Sequence, residues 1–239
     1  MNEIFEREYY LRTSDFDKNR RLLPSSLLDL FQDVAGAHAK VLGCGYDSLI
    51  KRSLVWVLVR VRYTLLSDVP MFSKITVRTW PLPPTRLGYT REYEILNAEG
   101  TPICKGSSEW VLMDINTRHL ATAEDIYNLE HFHEVKNFPG RAVRTGRFTP
   151  DGAPYDICPR FSQIDMNGHV NNTKYINFVL DAAPPADTDR IRTVQIDYRK
   201  EVLPNDTVSV LSLREGQVLS ARGEDKDGNV MFAAQVEFY

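Results

Sequence analysis

The chain repeats one order of elements twice, and this duplication restricts its fold more than any other feature of the sequence. In each half a polar loop leads into an amphipathic helix, and segments with the alternating pattern of β-strands follow. We therefore predict two copies of one α+β unit, each a helix packed on an antiparallel sheet. Three pairs of positions align: residues 15–19 with 165–169 at a shift of 150, Val61-x-Tyr63 with Ile196-x-Tyr198, and Gly100 with Gly228.

Both helices are predicted from apolar residues that recur three and four positions apart. In the first, Ser25 or Ser26 is placed to cap the helix and Gly43 to end it. In the second, Asn171 or Asn172 is placed to cap the start. The two apolar stripes are Leu27, Phe31, Val34, Ala35, His38 and Leu42 in the first helix, and Ile176, Val179, Leu180 and Ala183 in the second, which Pro184 and Pro185 end.

Composition and charge exclude several classes of protein. The 239 residues carry a net charge of −3 and have no long Lys/Arg run, so we expect no nucleic-acid partner. Cys44, Cys104 and Cys158 lie far apart, which argues against a disulfide framework and a cysteine zinc site. No apolar run approaches twenty residues and the first residues lack the apolar core of a signal peptide. We therefore expect a cytoplasmic protein without a membrane span.

A short polar run before the second helix is the strongest candidate for chemistry. Asp165, Asn167 and His169 occupy alternate positions, so their side chains would project to one side of an extended backbone. Exposed N–H groups at the helix start that follows favour developing negative charge. By spacing alone, an ordinary polar loop with a helix cap is the favoured interpretation.

The duplication offers an internal comparison for this run. In this alignment the imidazole and the carboxylate at the position of Glu201 occur in the second copy alone, whereas a polar run that merely starts a helix could be similar in both copies. We therefore expect one active site per chain. The compared sets are Asp165, Asn167, His169 and Glu201 in the second copy, and Asp15, Asp17, Asn19 and approximately Leu66 in the first.

Several motifs resemble those of the acyl-acyl-carrier-protein thioesterases of plants and bacteria. The most specific is D-x-N-x-H-V-N-N-x-x-Y, which runs from Asp165 to Tyr175. Supporting motifs include F-Q-D-V-A-x-x-H-A from Phe31 and W-V-x-M-D-x-x-T-R-x-L from Trp110. The resemblance implies a tandem double hotdog fold, in which each half is a long helix wrapped by a curved antiparallel sheet. It divides the chain into an N-terminal hotdog (1–125), a linker (126–154) and a catalytic C-terminal hotdog (155–239).

The resemblance also assigns catalytic residues. The family's Asp, Asn and His fall on Asp165, Asn167 and His169, and its Glu, in a Y-R-x-E motif, falls on Glu201. Plant members usually have Cys directly after that Glu, whereas this chain has Val202, which excludes a thiol nucleophile at that position. The plant transit peptide is also missing, so we expect a bacterial type of enzyme.

The resemblance implies hydrolysis of fatty acyl-carrier-protein thioesters to free fatty acid and holo-carrier protein, which ends chain elongation in fatty acid biosynthesis. The reaction needs no metal and no organic cofactor, because a thioester carbonyl is electrophilic enough for positioned water. The expected partner is an acyl carrier protein that bears a fatty acyl phosphopantetheine. Three alternatives stay open: a hotdog acyl-CoA thioesterase, a hotdog dehydratase and a non-catalytic hotdog acyl-binding protein.

Two groups of residues are candidates for substrate binding. Phe31, Val34 and Trp56 in the N-terminal half are candidates for the acyl pocket, with plain core as the other interpretation. A carrier protein is acidic, so basic residues near the motif are candidates for docking it, with a solvated surface as the other interpretation. Acyl chain length is not determined by the sequence, and a homodimer stays open. The docking candidates are Arg160, Lys174, Arg199 and Lys200, with Arg141, Arg144 and Arg147 in the linker.

Overall fold

The protein consists of two compact units, Met1–Arg141 and Ala142–Tyr239, in a computed structural model. This division falls inside the predicted linker, residues 126–154, and the domain limits expected from the sequence stay a prediction. None of the helices described is long and apolar enough to cross a membrane. The residues described are 3–86, 88–122, 126–127, 129–140 and 144–239.

The first unit contains two helices and an antiparallel sheet. The strand order is β1-β3-β4-β5-β2, and the short strand β6 pairs with Leu112 and Met113 of β5, beyond the residues that pair with β4. The central helix packs on β3 and β1, as the sequence predicted for a helix followed by strands. The elements are β1 (Phe5–Tyr10), α1 (Pro24–Val41), α2 (Tyr46–Ile50), β2 (Leu54–Leu65), β3 (Lys74–Pro81), β4 (Tyr89–Leu96), β5 (Pro102–Asp114) and β6 (Leu120–Ala121).

The start of α1 differs from the sequence prediction. Neither Ser25 nor Ser26 caps the helix, because it already begins at Pro24, with Leu23 at the cap position and no side-chain cap. A proline suits the first helical position, since its fixed φ angle is helical and it needs no N–H partner there. The predicted apolar stripe is confirmed, and the buried face includes Phe31 and His38.

A β-bulge shifts the alternation of β2. The register with β5 slips between Leu58 and Arg60, so Val59 is an extra residue in the strand. Beyond the bulge Val61 and Tyr63 are buried, as expected of one strand face. Simple alternation through the whole strand was therefore a wrong prediction, because an inserted residue moves the following side chains to the opposite face.

The three candidates for the acyl pocket all belong to the packed interior of the first unit. Val34 is fully buried, and the ring of Phe31 stacks on Tyr93 with centroids 4.2 Å apart. Trp56 is half-buried, packs edge-on against Tyr89 at 4.9 Å and donates its indole N–H to a main-chain carbonyl. Core packing thus accounts for these positions, and a role in binding the acyl chain stays a prediction.

Residues 129–140 are hydrogen-bonded to the sheet of the first unit. The indole N–H of Trp80 donates to the carbonyl of Val135 at 2.9 Å. The side-chain amide of Asn137 donates to the carbonyls of Tyr93 and Gly106, and its main-chain N–H donates to the Glu92 carboxylate. This part of the expected linker is therefore tied to β3, β4 and β5.

The second unit repeats the architecture with a shorter helix. Its strand order is β8-β11-β10-β9-β7, with each neighbouring pair antiparallel, and its helix packs on β9 and β11. The expectation of a long helix is wrong here: α3 has 8 residues, compared with 18 in α1. The elements are β7 (Tyr155–Ile157), α3 (Tyr175–Ala182), β8 (Ile191–Tyr198), β9 (Val208–Glu215), β10 (Val218–Glu224) and β11 (Val230–Phe238).

Close packing of α1 on the sheet predicts opposite effects of alanine at two glycines. A Cβ at Gly106 would collide with the Phe31 ring, whereas one at Gly36, on the helix, meets no atom within 4 Å. We expect Gly106→Ala to lower the free energy of unfolding by about 1–3 kcal/mol, and Gly36→Ala to raise it by up to about 1 kcal/mol. Urea denaturation measures both. Equal stability of the two variants would contradict the packing of Phe31 on β5.

Candidate active site

The candidate catalytic residues lie in a tight turn, so the extended backbone expected from the sequence is wrong. The N–H of Asp165 donates to the carbonyl of His169 at 2.9 Å, and the N–H of Gly168 donates back to the carbonyl of Asp165 at 3.1 Å. Gly168 has a φ angle of 84°, which a glycine adopts without strain. A bridge between Ile164 and Val170 closes the turn.

The turn brings the acid, the amide and the imidazole together. The Asp165 carboxylate accepts the main-chain N–H of Asn167 at 2.8 Å and its side-chain amide at 3.5 Å. Oδ1 of Asp165 lies 3.8 Å from Nδ1 of His169. The two side chains are 17% and 24% exposed, so the carboxylate is partly shielded from water and yet a substrate could reach the pair. This arrangement places a carboxylate beside one ring nitrogen, a position from which it can orient the imidazole.

A side-chain cap holds the chain directly after the turn. The Asn171 side-chain oxygen accepts the main-chain N–H and the hydroxyl of Thr173, each at 3.0 Å. One of the two predicted capping positions is therefore confirmed. The capped element is a 3-10 turn, Asn172–Lys174, which continues into α3.

Val202, the residue after Glu201, is hydrogen-bonded to the segment that follows the turn. Val202 is fully buried; its carbonyl accepts the N–H of Val170 at 2.9 Å, and its N–H donates to the phenol oxygen of Tyr175 at 3.2 Å. The pKa of Tyr175 is raised to about 12, mainly because the phenol is buried. The charges of Glu201 and Asp165 raise this pKa further, so both carboxylates lie within electrostatic reach of one phenol.

Tyr175 was missed as a site residue by the sequence reasoning. It ends the D-x-N-x-H-V-N-N-x-x-Y motif and falls on the buried face of the second helix, so its spacing predicts only a core aromatic residue. The available signal was its hydroxyl, because a buried phenol oxygen generally requires a hydrogen-bond partner.

The first unit contains the same turn, and its geometry corrects the alignment of the two copies. The matching register is a shift of 148, not 150, so His169 corresponds to Arg21, while the aspartate and the asparagine are present in both turns. The imidazole is therefore still confined to the second copy. The equivalent hydrogen bonds of the first turn are Asp17 N–H to Arg21 O (2.8 Å), Arg20 N–H to Asp17 O (3.0 Å) and Asn19 N–H to Asp17 Oδ1 (2.8 Å), closed by a bridge from Phe16 to Leu22.

The four docking candidates lie in the second unit, and only Arg160 borders the cleft beside the turn. Arg199 and Lys200 are exposed just after β8, where Lys200 pairs with Asp225 at 3.1 Å, and Lys174 ends the 3-10 turn. Arg144 and Arg147 are also exposed, whereas Arg141 lies outside the described residues. The cleft has a volume of about 630 Å³ and is lined by Pro159, Arg160, Phe161, Ile164, Asp165, Met166, Pro204 and Asn205.

Neither Cys44 nor Cys104 resembles an activated thiol. Cys44 and Cys104 are buried, and Cys158 is half-buried. Burial raises the pKa of Cys44 to about 11 and raises that of Cys104 further. A raised pKa reduces the thiolate fraction and therefore the nucleophilicity.

A helix packed on an antiparallel sheet, present twice, with an Asp–Asn–His turn in the second copy, defines a double hotdog protein of the thioesterase class. The model of the acyl-ACP thioesterase N-terminal domain matches residues 2–129, and that of the acyl-ACP thioesterase C-terminal domain matches residues 151–236. The chain belongs to the acyl-ACP thioesterase family.

Similar proteins occur in plants and bacteria. The chain is 25% identical to oleoyl-acyl carrier protein thioesterase 1 of Arabidopsis thaliana, over 94% of this chain and 67% of the relative. It is also 25% identical to a palmitoyl-acyl carrier protein thioesterase of Cuphea hookeriana, over 83% of this chain and 52% of the relative. The chain thus spans about half to two thirds of the length of these two curated relatives.

Solved structures show the same fold. The crystal structure of an acyl-ACP thioesterase from Bacteroides thetaiotaomicron matches with a TM-score of 0.91, at 24% identity, and covers 99% of this chain and 98% of that one. The 12:0-ACP thioesterase of Umbellularia californica matches with a TM-score of 0.86, at 22% identity, over 100% of this chain and 98% of that one. The tandem hotdog fold expected from the sequence is therefore confirmed.

The conformation of Gly168 predicts a stability difference between two substitutions at one position. Alanine rarely adopts a positive φ angle, whereas asparagine tolerates it. We expect Gly168→Ala to lower the free energy of unfolding by about 1 kcal/mol and Gly168→Asn by clearly less, measured by urea denaturation. If both variants lose the same stability, the positive φ angle at Gly168 is not the cause of the loss.

Proposed function

We propose that this protein hydrolyses fatty acyl-carrier-protein thioesters to free fatty acid and holo-carrier protein. The observation that carries the proposal is the Asp165–His169 pair, 3.8 Å apart, in a turn that is hydrogen-bonded to the segment just after Glu201. An acid, an amide, an imidazole and a second acid together provide what thioester hydrolysis requires: a base for water and donors for the developing oxyanion. Family membership and the names of the relatives support the substrate class.

In the proposed mechanism Glu201 removes a proton from water as the water oxygen attacks the thioester carbonyl. His169 stabilises the negative charge that develops on the carbonyl oxygen, and Asp165 orients the imidazole and supports its charge. Asn167 positions water or the carbonyl by hydrogen bonds. The C–S bond then breaks, and the thiolate of the phosphopantetheine arm takes up a proton.

The hydrogen bonds of Asp165 favour an orienting role over direct attack on the carbonyl. Its carboxylate already accepts two hydrogen bonds from Asn167 and faces the imidazole. A carboxylate whose oxygens accept hydrogen bonds has fewer free lone pairs for attack, which reduces its nucleophilicity. Attack by Asp165 would form a mixed anhydride with the enzyme, which hydroxylamine would trap.

One hydrolysis panel tests the function. Carrier-protein esters and coenzyme A esters of the same acyl groups are compared across chain lengths, with release of free thiol and free fatty acid as readouts. We expect the highest kcat/KM for a carrier-protein ester. Preference for coenzyme A esters would favour the acyl-CoA thioesterase alternative. An enoyl product would favour a dehydratase, and binding without turnover would favour a non-catalytic acyl-binding protein.

The mechanism predicts a large loss of activity on substitution of Glu201 or His169 and little loss on substitution of the cysteines. We expect Glu201→Gln and His169→Ala each to lower kcat by at least ~10²-fold, the usual scale for a general base or an oxyanion donor. The triple variant Cys44→Ala, Cys104→Ala, Cys158→Ala should retain most of the activity if it folds. Full turnover by Glu201→Gln, a trapped acyl-cysteine or a trapped Asp165 anhydride would overturn this assignment.

The surface beside the turn supports docking of an acidic carrier protein. Phe161 and Met166 border the cleft and are 96% and 79% exposed, and exposed apolar side chains next to a basic residue such as Arg160 suit a protein partner. Arg199 adds a second exposed positive charge after β8. Lys200 contributes less, because Asp225 already neutralises it at 3.1 Å.

Charge reversal tests this docking surface. We expect Arg160→Glu combined with Arg199→Glu to raise KM for a carrier-protein ester by roughly 10-fold at low salt, because the favourable attraction becomes repulsion. Hydrolysis of an uncharged N-acetylcysteamine ester should not change. Lys51→Glu combined with Lys226→Glu, at two exposed positions outside the docking candidates, is the matched control because it changes the net charge by the same amount. Unchanged KM and salt dependence in the double variant would refute docking at these residues.

A further inference from the structure

Tyr175 connects the start of α3 to the main chain that follows Glu201. The residue is 2% exposed, and its phenol oxygen accepts the N–H of Val202 at 3.2 Å. Val202 is fully buried, so water does not reach this N–H. A buried N–H without an acceptor is costly, which makes the phenol oxygen a structural requirement at this position.

The other side of Val202 is bound to the catalytic turn. Its carbonyl accepts the N–H of Val170 at 2.9 Å. Val202 directly follows Glu201, and Val170 directly follows His169. Glu201 therefore precedes a residue whose N–H and carbonyl are both hydrogen-bonded. His169 precedes Val170, which donates one of these two bonds.

The ring of Tyr175 is itself held in place. It packs edge-on against Tyr198 and against Phe232, in each case with ring centroids 5.2 Å apart and an angle of 88° between the planes. Tyr198, in turn, donates its hydroxyl to the carbonyl of Asn172 at 2.8 Å. Since neighbouring rings restrict the side chain, the phenol oxygen has little freedom to leave Val202.

We propose that Tyr175 is a positioning residue for hydrolysis: its phenol oxygen holds the main chain at Val202, and thereby fixes Glu201 relative to the turn that bears His169. This inference rests on the proposed function, because it assigns a task within that mechanism. An error of about 1 Å in the placement of a base can cost on the order of 10²-fold in rate.

The charges around the phenol suit this task. Glu201, Asp165 and Asp206 are the acids whose charges act on it, and all three raise its pKa in addition to the larger effect of burial. The phenol therefore stays neutral at physiological pH. A neutral hydroxyl accepts the N–H of Val202 without adding a fourth negative charge to the site.

Two hydroxyl deletions in the same aromatic cluster test the proposal. Tyr175→Phe removes the acceptor for Val202, whereas Tyr198→Phe removes the hydroxyl of a neighbouring ring that donates to the carbonyl of Asn172 instead. We expect Tyr175→Phe to lower kcat by roughly 10-fold or more with KM nearly unchanged, because binding does not depend on the placement of Glu201. Tyr198→Phe should keep kcat within about two-fold of the unmodified protein.

Amide hydrogen exchange at Val202, followed by NMR, gives a readout that is independent of activity. Exchange should accelerate in Tyr175→Phe and not in Tyr198→Phe. Unchanged kcat and unchanged Val202 exchange in Tyr175→Phe, or equal losses of kcat in both variants, would overturn the inference. An active Glu201→Gln variant would instead overturn the proposed mechanism, and the exchange result would still report on the hydrogen bond.

Discussion

Burial of one helix face against an antiparallel sheet is the constraint on which each unit depends. In the first unit Phe31 stacks on Tyr93 and lies over Gly106, where a side chain would leave no room for the ring. In the second, Tyr175 at the start of α3 meets Tyr198 and Phe232 edge-on. Aromatic rings bury large apolar areas, so these contacts also fix where each helix begins on its sheet.

In the second unit this packing also organises the candidate site. The aromatic contacts of Tyr175 place its phenol at Val202, and Val202 is bonded to the residue after His169. Segments that are distant in sequence are thereby joined by one main-chain hydrogen bond, from Val170 to Val202, and by one bond from the Val202 N–H to the phenol oxygen of Tyr175. A site assembled in this way depends on the core of its own unit, since a shift of α3 would change the position of Glu201 relative to His169.

The two copies of the turn show how one backbone arrangement can carry different chemistry. Both turns have an aspartate that accepts an N–H two residues later at 2.8 Å, yet one ends in Arg21 and the other in His169. The hydrogen bonds that build the turn use main-chain groups and the aspartate, so the last side chain is free to vary. The histidine therefore contributes chemistry and is not needed for the turn to form.

The sequence by itself determined the order of elements, the duplication and the family, because apolar spacing and the motif around Asp165 are local properties. It also indicated Asn171 as one of two capping positions. The register of the duplication, the bulge at Val59 and the start of α1 at Pro24 were decided only by the tertiary structure. The link from Tyr175 to Val202 belongs to the same group: it joins residues 27 positions apart, and spacing along the chain contains no information about such a contact. Local sequence patterns indicate which face of an element is apolar, whereas packing of the aromatic rings against the sheet decides which polar atoms form hydrogen bonds.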